Sequence, residues 1–304
     1  MWCFGERLRC TLGVVLVLLT AGAVSACGSA QTGRFGSGFE RAPATAQVKR
    51  EERRMAERLN RDRKANGLPP LRYDEELAEV ARAHSLDMRE HKFFAHDSPR
   101  TGSLQDRLDR AGYATLEARE NLAEAPDVEQ GQAGLLKSPR HYANIMADSV
   151  SRVGIGIVQG GVENASNLTI TQVFAEPAKK ESVAQARASL REAITRARRA
   201  RGLEAAREDS KLTRLAEKHL DELDADPRSP ALQRIGKRIS AELAEQPVAG
   251  VRGISVSGQL LPDSTQFAVS DGLMRPSVSR YGIAVTRTRS GRPMLKVLLV
   301  IGLP

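Results

Sequence analysis

Residues Leu59–His84 read LNRDRKANGLPPLRYDEELAEVARAH, and 135 positions later Ile194–His219 read ITRARRARGLEAAREDSKLTRLAEKH with no gap between the two runs. Ten of the 26 positions are identical, among them Gly67 with Gly202, Asp74 with Asp209, Leu77 with Leu212 and His84 with His219. Unrelated helices of this composition would share about two or three, so the pattern reads as a repeat. Each copy spells a helix, a glycine stop, a short exit and a second helix opened by an aspartate N-cap. The far ends agree as well: SVSRVGIGIV at Ser149–Val158 matches SVSRYGIAV at Ser277–Val285, and both lead into an apolar strand, LTITQVF or MLKVLLVIG. Helices come first and strands last in each half, which predicts two similar α+β domains in tandem, residues 46–177 and 183–304.

Working outward to the N-terminus, Arg7 and Arg9 precede TLGVVLVLLTAGAVSA, Thr11–Ala26. This run is shorter than the ~20 residues that span a bilayer. Residues 1–26 therefore read as a secretory signal peptide. Its end, Val24-Ser25-Ala26-Cys27-Gly28, resembles the bacterial lipobox, which implies that Cys27 is lipidated and becomes the mature first residue. In a source with two membranes, Gly28 after that cysteine resembles an outer-membrane sorting signal; otherwise the expectation is the cell surface. Residues 27–45 lack apolar periodicity and read as a flexible tether. The expectation is a membrane-anchored lipoprotein displayed outside the cytoplasm, with acyl chains such as palmitate holding it to the bilayer. Cys3, Cys10 and Cys27 are the only cysteines, so the folded part has no disulfide and no Cys-ligated metal.

The 304 residues are 41% hydrophobic, enough for real cores, and carry a formal charge of +9. Residues 28–177 hold 21 Lys/Arg against 22 Asp/Glu, whereas residues 178–304 hold 23 against 14. The whole excess thus belongs to the second half, a field that favours anionic partners such as acidic lipid headgroups or envelope polymers. With no interleaved aromatic residues for base stacking and a secretion signal in front, nucleic acid is not expected.

Four of the five histidines, His84, His91, His96 and His141, fall in the first half; the second keeps only His219. Two imidazoles from separate segments and a carboxylate between them could bind Zn²⁺, although their spacing forms no compact metal motif. His84 lies on an apolar helix face and recurs as His219, so it reads as a core residue, while His91 reads as an exposed one.

The ordered run formed by LNRDRKANGLPPLRYDEELAEVARAHSLDM, FFAHDSPRTG, RAGY, ENLA, SPRHYANIM, VGIGI and TQVF, about residues 48–176, resembles a bacterial domain of the CAP superfamily (cysteine-rich secretory proteins, antigen 5 and pathogenesis-related proteins; the SCP domain). The resemblance implies an α-β-α sandwich with a central antiparallel sheet. It also implies an open cleft carrying two histidines and acidic residues, which in several members holds a divalent metal such as zinc. Carried over position by position, the cleft residues are His96, Glu120 and His141, with Asn121 bracing the backbone. Many members add a glutamate after a tryptophan on the next helix; Leu135 and Ser138 stand there instead. Aligning ISAELAEQ with ARENLAEA sets Ala241 against Glu120 and makes the second domain a degenerate copy.

On this reading the protein binds a lipid, sterol-like molecule or envelope glycan at His96, Glu120 and His141, with a divalent metal as an accompanying expectation. The same three residues polarising a water would instead make a hydrolase of peptides or peptidoglycan. A third reading is an envelope adaptor that grips an anionic surface through its basic second domain.

Overall fold

The computed structural model describes residues 41–223, 230–288 and 293–304, of which all belong to one compact unit, Arg34–Pro304. The signal segment and the lipobox with Cys27 lie outside the described residues.

The first half opens with α1 (Ala46–Ala65), capped by Thr45, whose hydroxyl accepts from the Val48 amide. The two-residue strand β1 (Arg72–Tyr73) leads to α2 (Glu75–His91), where the Asp74 carboxylate caps the amides of Glu76 and Leu77. Then follow α3 (Leu104–Arg110), opened by a Ser103/Asp106 capping box, and β2 (Thr115–Ala125). Two helices, α4 (Val128–Lys137) and α5 (Pro139–Ile145), precede β3 (Arg152–Gln159) and β4 (Leu168–Pro177). The sheet order is β1-β3-β4-β2; β1 runs parallel to β3 and the other pairings are antiparallel.

β3 and the first eight residues of β4 are almost wholly buried rather than alternating, because helices cover both faces of the sheet. On one face Met55 and Leu59 of α1 and Leu135 of α4 pack on Ile155, Ile157, Ile170 and Phe174. On the other, Leu77, Val80 and Ala81 of α2 and Leu108 of α3 pack on Val173 and Ala175. This is the expected α-β-α sandwich. Gly154 and Gly156 let α2 lie directly on β3: a Cβ at Gly156 would fall 2.0 Å from the Arg82 amide nitrogen.

The second half repeats the plan. α6 (Val183–Ala200), β5 (Arg207–Glu208), α7 (Ser210–His219), α8 (Pro230–Glu245), β6 (Gly253–Leu261), β7 (Arg280–Arg287) and β8 (Leu295–Leu303) build a sheet of order β5-β7-β8-β6. Short 3₁₀ turns at Ser264–Gln266 and Asp271–Met274 stand where α4 and α5 lie in the first half. A buried arginine does the same work in both. Arg63 donates to the carbonyls of Pro69, Ile145 and Ala147; Arg198 donates to those of Glu204, Leu273, Arg275 and Val278.

The register corrects one sequence alignment. Gly154 pairs with Val173 and Val173 with Glu120; in the second sheet Gly282 pairs with Val300 and Val300 with Val256. Val256, not Ala241, is therefore the counterpart of Glu120. Ala241 lies inside α8, where ISAELAEQ continues an amphipathic helix whose Ile235 and Ile239 are buried.

Candidate functional site

Glu120 sits in the middle of β2, the edge strand of its sheet, and is 8% exposed. Its side chain faces the α2/α3 layer and both oxygens are engaged. Oε1 lies 2.9 Å from His96 Nδ1, and Oε2 accepts from Arg107 at 2.6 Å. A third group stands beneath: His84 Nε2 is 3.9 Å from Oε1 and 3.0 Å from the Ala95 carbonyl. Burial pushes the Glu120 carboxyl up, but the His96 bond and the charge of Arg107 outweigh it and hold the group below the ordinary carboxylate range.

Arg107, on α3, organises this corner. One guanidinium nitrogen bonds Glu120, and another donates to the carbonyls of His96 and Gly102, so the same side chain fixes the carboxylate and the loop that carries the imidazole. That loop, Phe93–Gly102, is closed by a Ser98–Gly102 bridge. It is tied to α2 through Asp87, which accepts from Ser98 Oγ at 2.5 Å and from Thr101 Oγ1 at 3.2 Å. His91, expected to be merely exposed, takes part: its ring lies against Asp87 at 2.9 Å and Arg100 at 2.8 Å.

His96 keeps 58% of its side chain exposed while its Nδ1 points at the carboxylate. The hydrogen bond it donates to Glu120 raises its pKa above the usual histidine value, despite partial desolvation. His84 behaves oppositely: burial pushes it down to about 4, so it is neutral, with Nε2–H given to the Ala95 carbonyl. His141, on α5, is tied to β2 through its backbone and lines the neighbouring cleft. Its backbone carbonyl accepts from Asn121 Nδ2 at 3.2 Å, and Asn144 Nδ2 donates to the Glu120 carbonyl at 3.1 Å and to Asn121 Oδ1 at 2.9 Å. Burial, and then the nearby charge of His96, lower the His141 pKa.

Beside this corner a cleft of about 400 Å³ follows β2 from Leu122 to Ala125. Phe94 and His141 stand on its walls with Leu135 and Ser138 of the α4–α5 corner. Phe94 is 44% exposed, a large apolar ring left at the mouth. The Glu124 carboxylate closes one end, accepting from the amides of Val162, Glu163 and Asn164 and so pinning the β3–β4 turn.

A metal was expected at His96, Glu120 and His141, and the donor chemistry tests that expectation. The Glu120 oxygens are taken by a guanidinium and an imidazole Nδ1, and a cation would have to displace or repel Arg107. Among the described residues no group of three or more His, Cys, Asp or Glu is placed to hold a metal ion. The residues in this arrangement do not fit a three-ligand Zn²⁺ site.

Three of these groups were named from sequence. Arg107 was not, and His84 was read as core alone. Nothing local marks Arg107 as different from its neighbours on a charged helix; only the fold brings it under β2.

Residues 56–174 match the family model described as the cysteine-rich secretory protein family, CAP. The chain carries a CAP domain. It is 33% identical over 133 residues to the uncharacterized protein YkwD of Bacillus subtilis, covering 40% of this chain and 52% of YkwD. It is 34% identical over 107 residues to the uncharacterized membrane protein YlbC of the same organism, covering 35% of this chain and 31% of YlbC. The chain thus spans about half or less of the curated relatives it matches. Among solved structures, an extracellular SCP-domain protein from Bacillus anthracis shares 29% identity, with 44% of this chain and 45% of that one covered and a TM-score of 0.39. Both curated matches cover less than half of this chain, as a match confined to one half does. The match to the family model ends within β4, and in the second half Val256 stands where the first has Glu120.

Proposed function

We propose that this is an extracytoplasmic, lipid-anchored CAP-domain protein that binds an amphiphilic ligand, a lipid or another envelope component, in the cleft along β2. The observation that carries the reading is the pairing of an apolar wall, Phe94 and Leu122, with an imidazole, His141, at a cleft whose neighbouring carboxylate is already neutralised. Such a lining holds a chain by burial and orients a polar head by hydrogen bonds. The segment that reads as a secretion signal with a lipobox supports a location outside the cytoplasm, in keeping with a relative described as a membrane protein. No helix among the described residues is long and apolar enough to cross a membrane; on this reading the lipidated Cys27 is the point of attachment.

Titration with a fluorescent fatty acid tests the reading. Saturable binding should weaken about tenfold or more in Phe94→Ala and in Leu122→Glu, and parallel calorimetry with Zn²⁺ should show no stoichiometric heat. Zinc binding abolished by His96→Ala/His141→Ala would replace this reading with a metal site.

One observation favours hydrolysis as a second reading: Glu120 fixes His96 through Nδ1 and leaves the other side of the ring to solvent, the arrangement of a general base for water. Peptide or peptidoglycan cleavage lost in Glu120→Gln would establish it.

A further inference from the structure

Four exposed arginines of the second half gather at one end of its sandwich. Arg198 is the cause. Its bonds to the carbonyls of Leu273, Arg275 and Val278 draw the segment before β7 against the C-terminal end of α6. β5 then sets Arg207 in register with Arg280. Arg199, Arg201, Arg207 and Arg275 are all exposed there, and among the described residues none of the four forms an ion pair. Their neighbours Arg196 and Arg280 pair with Glu192 and Asp209.

The first half shows that this end need not be so charged. The positions equivalent to Arg199, Arg201, Arg207 and Arg275 are Lys64, Asn66, Arg72 and Ala147, and Asp62 and Asp148 stand among them where the second half has Ala197 and Pro276. The repeat has thus exchanged two neutral residues for arginines and two acids for uncharged residues at one place. All four cations are arginines, whose planar forks match phosphate oxygens in pairs. No large apolar side chain exposed in the described structure lies in the patch, so neither base stacking nor insertion into acyl chains accompanies the charge.

We infer that this arginine end of the second half docks electrostatically on the phosphate headgroups of an anionic bilayer. The surface acts independently of the cleft and would orient a protein tethered by its N-terminus.

The test uses the non-acylated unit Arg34–Pro304 and sedimentation with vesicles. Vesicles containing phosphatidylglycerol should retain the protein at low salt and release it near 0.5 M salt, about the range in which screening becomes short, while pure phosphatidylcholine should not retain it. Arg201→Asn/Arg275→Ala, which installs the first-half residues, should weaken partitioning by about thirtyfold. Arg214→Gln/Lys237→Gln removes the same charge from α7 and α8 and should change it less than about twofold. Melting curves of both double variants should match the parent, since all four side chains are exposed. Equal losses in the two variants, retention on phosphatidylcholine, or capture by heparin without any by vesicles would each overturn the inference.

Discussion

The two halves share a backbone plan and differ in how each closes the outer edge of its β3 or β7 strand. In the first half β1 covers only Arg152 and Val153 of β3, and further along the Ile157 amide turns to the Glu52 carboxylate. Glu52 is itself clamped by Arg82 through two 2.7 Å bonds, with both side chains at most 3% exposed. Residues 135 positions on are Arg187 and Glu217, the same pair with the signs exchanged, 3.5 Å apart and 33% and 52% exposed. An ion pair buried across the edge of one sheet has become a solvated one beside the other. A repeat can therefore keep its topology while an electrostatic contact within it changes from indispensable to nearly neutral.

The sharpest way to break that comparison is to remove one partner from each pair. Glu52→Ala strands Arg82 in the interior and should cost about 3–5 kcal/mol, whereas Glu217→Ala should cost less than about 1 kcal/mol. Urea denaturation of each variant measures both, and similar losses would show that the two edges are equivalent after all.

The histidine common to both halves gives the next contrast. His219 is held between two glutamates, 2.8 Å from Glu222 and 2.9 Å from Glu242. His84 has a carbonyl at Nε2 and no partner at its buried Nδ1. Because burial lowers the folded pKa of His84 to about 4, the unfolded chain takes up a proton first as pH falls below 6.5. Stability should therefore fall as pH drops from 6.5 to 4, by about 3 kcal/mol at the full shift, and level off below it for this group. The Glu120 carboxyl, lowered in the fold, adds a loss below its own ordinary value of 4.5. His96 opposes from above, since its raised pKa lends stability that is complete below 6.5 and lost as pH rises through the folded value. His84→Gln should flatten the slope between pH 6.5 and 4, read from denaturation midpoints.

Helix-to-sheet spacing comes third. Gly156 of β3 corresponds to Ala284 of β7, so α2 approaches its strand where α7 leaves room for a methyl group. Gly156→Ala should cost about 1–3 kcal/mol through overpacking. Ala284→Gly should cost about 1 kcal/mol, seen as a smaller shift of the melting temperature. The last contrast is read by titration rather than by stability, in Glu120→Gln. Losing the carboxylate should return the His96 pKa toward 6.5, followed by NMR titration of the ring, while the second half is unaltered.

Most of the helices were legible because their signals are local: Thr45, Asp74, Ser103 and Ser182 cap helices that follow an apolar stripe. β2 was not. TLEARENLAEA is rich in alanine and glutamate, residues that favour helices, and it is a strand because β4 pairs with it. The failed alignment of ISAELAEQ has the same origin, since composition alone makes that helical segment look like the strand. His96, Glu120 and His141 could be named from motif order. The role of Arg107 could not, because it depends on α3 passing beneath a strand whose existence the composition conceals.

β2 is paired on one side only, and this bears on how the cleft can open. Its amides that point away from β4 are held by few partners, so excursions that peel this border back require no loss of the packed layers behind β3 and β4. Hydrogen exchange along Leu122–Ala125 should then run ahead of exchange in the sheet centre. A guest could enter by a breathing motion of the rim while the interior stays folded.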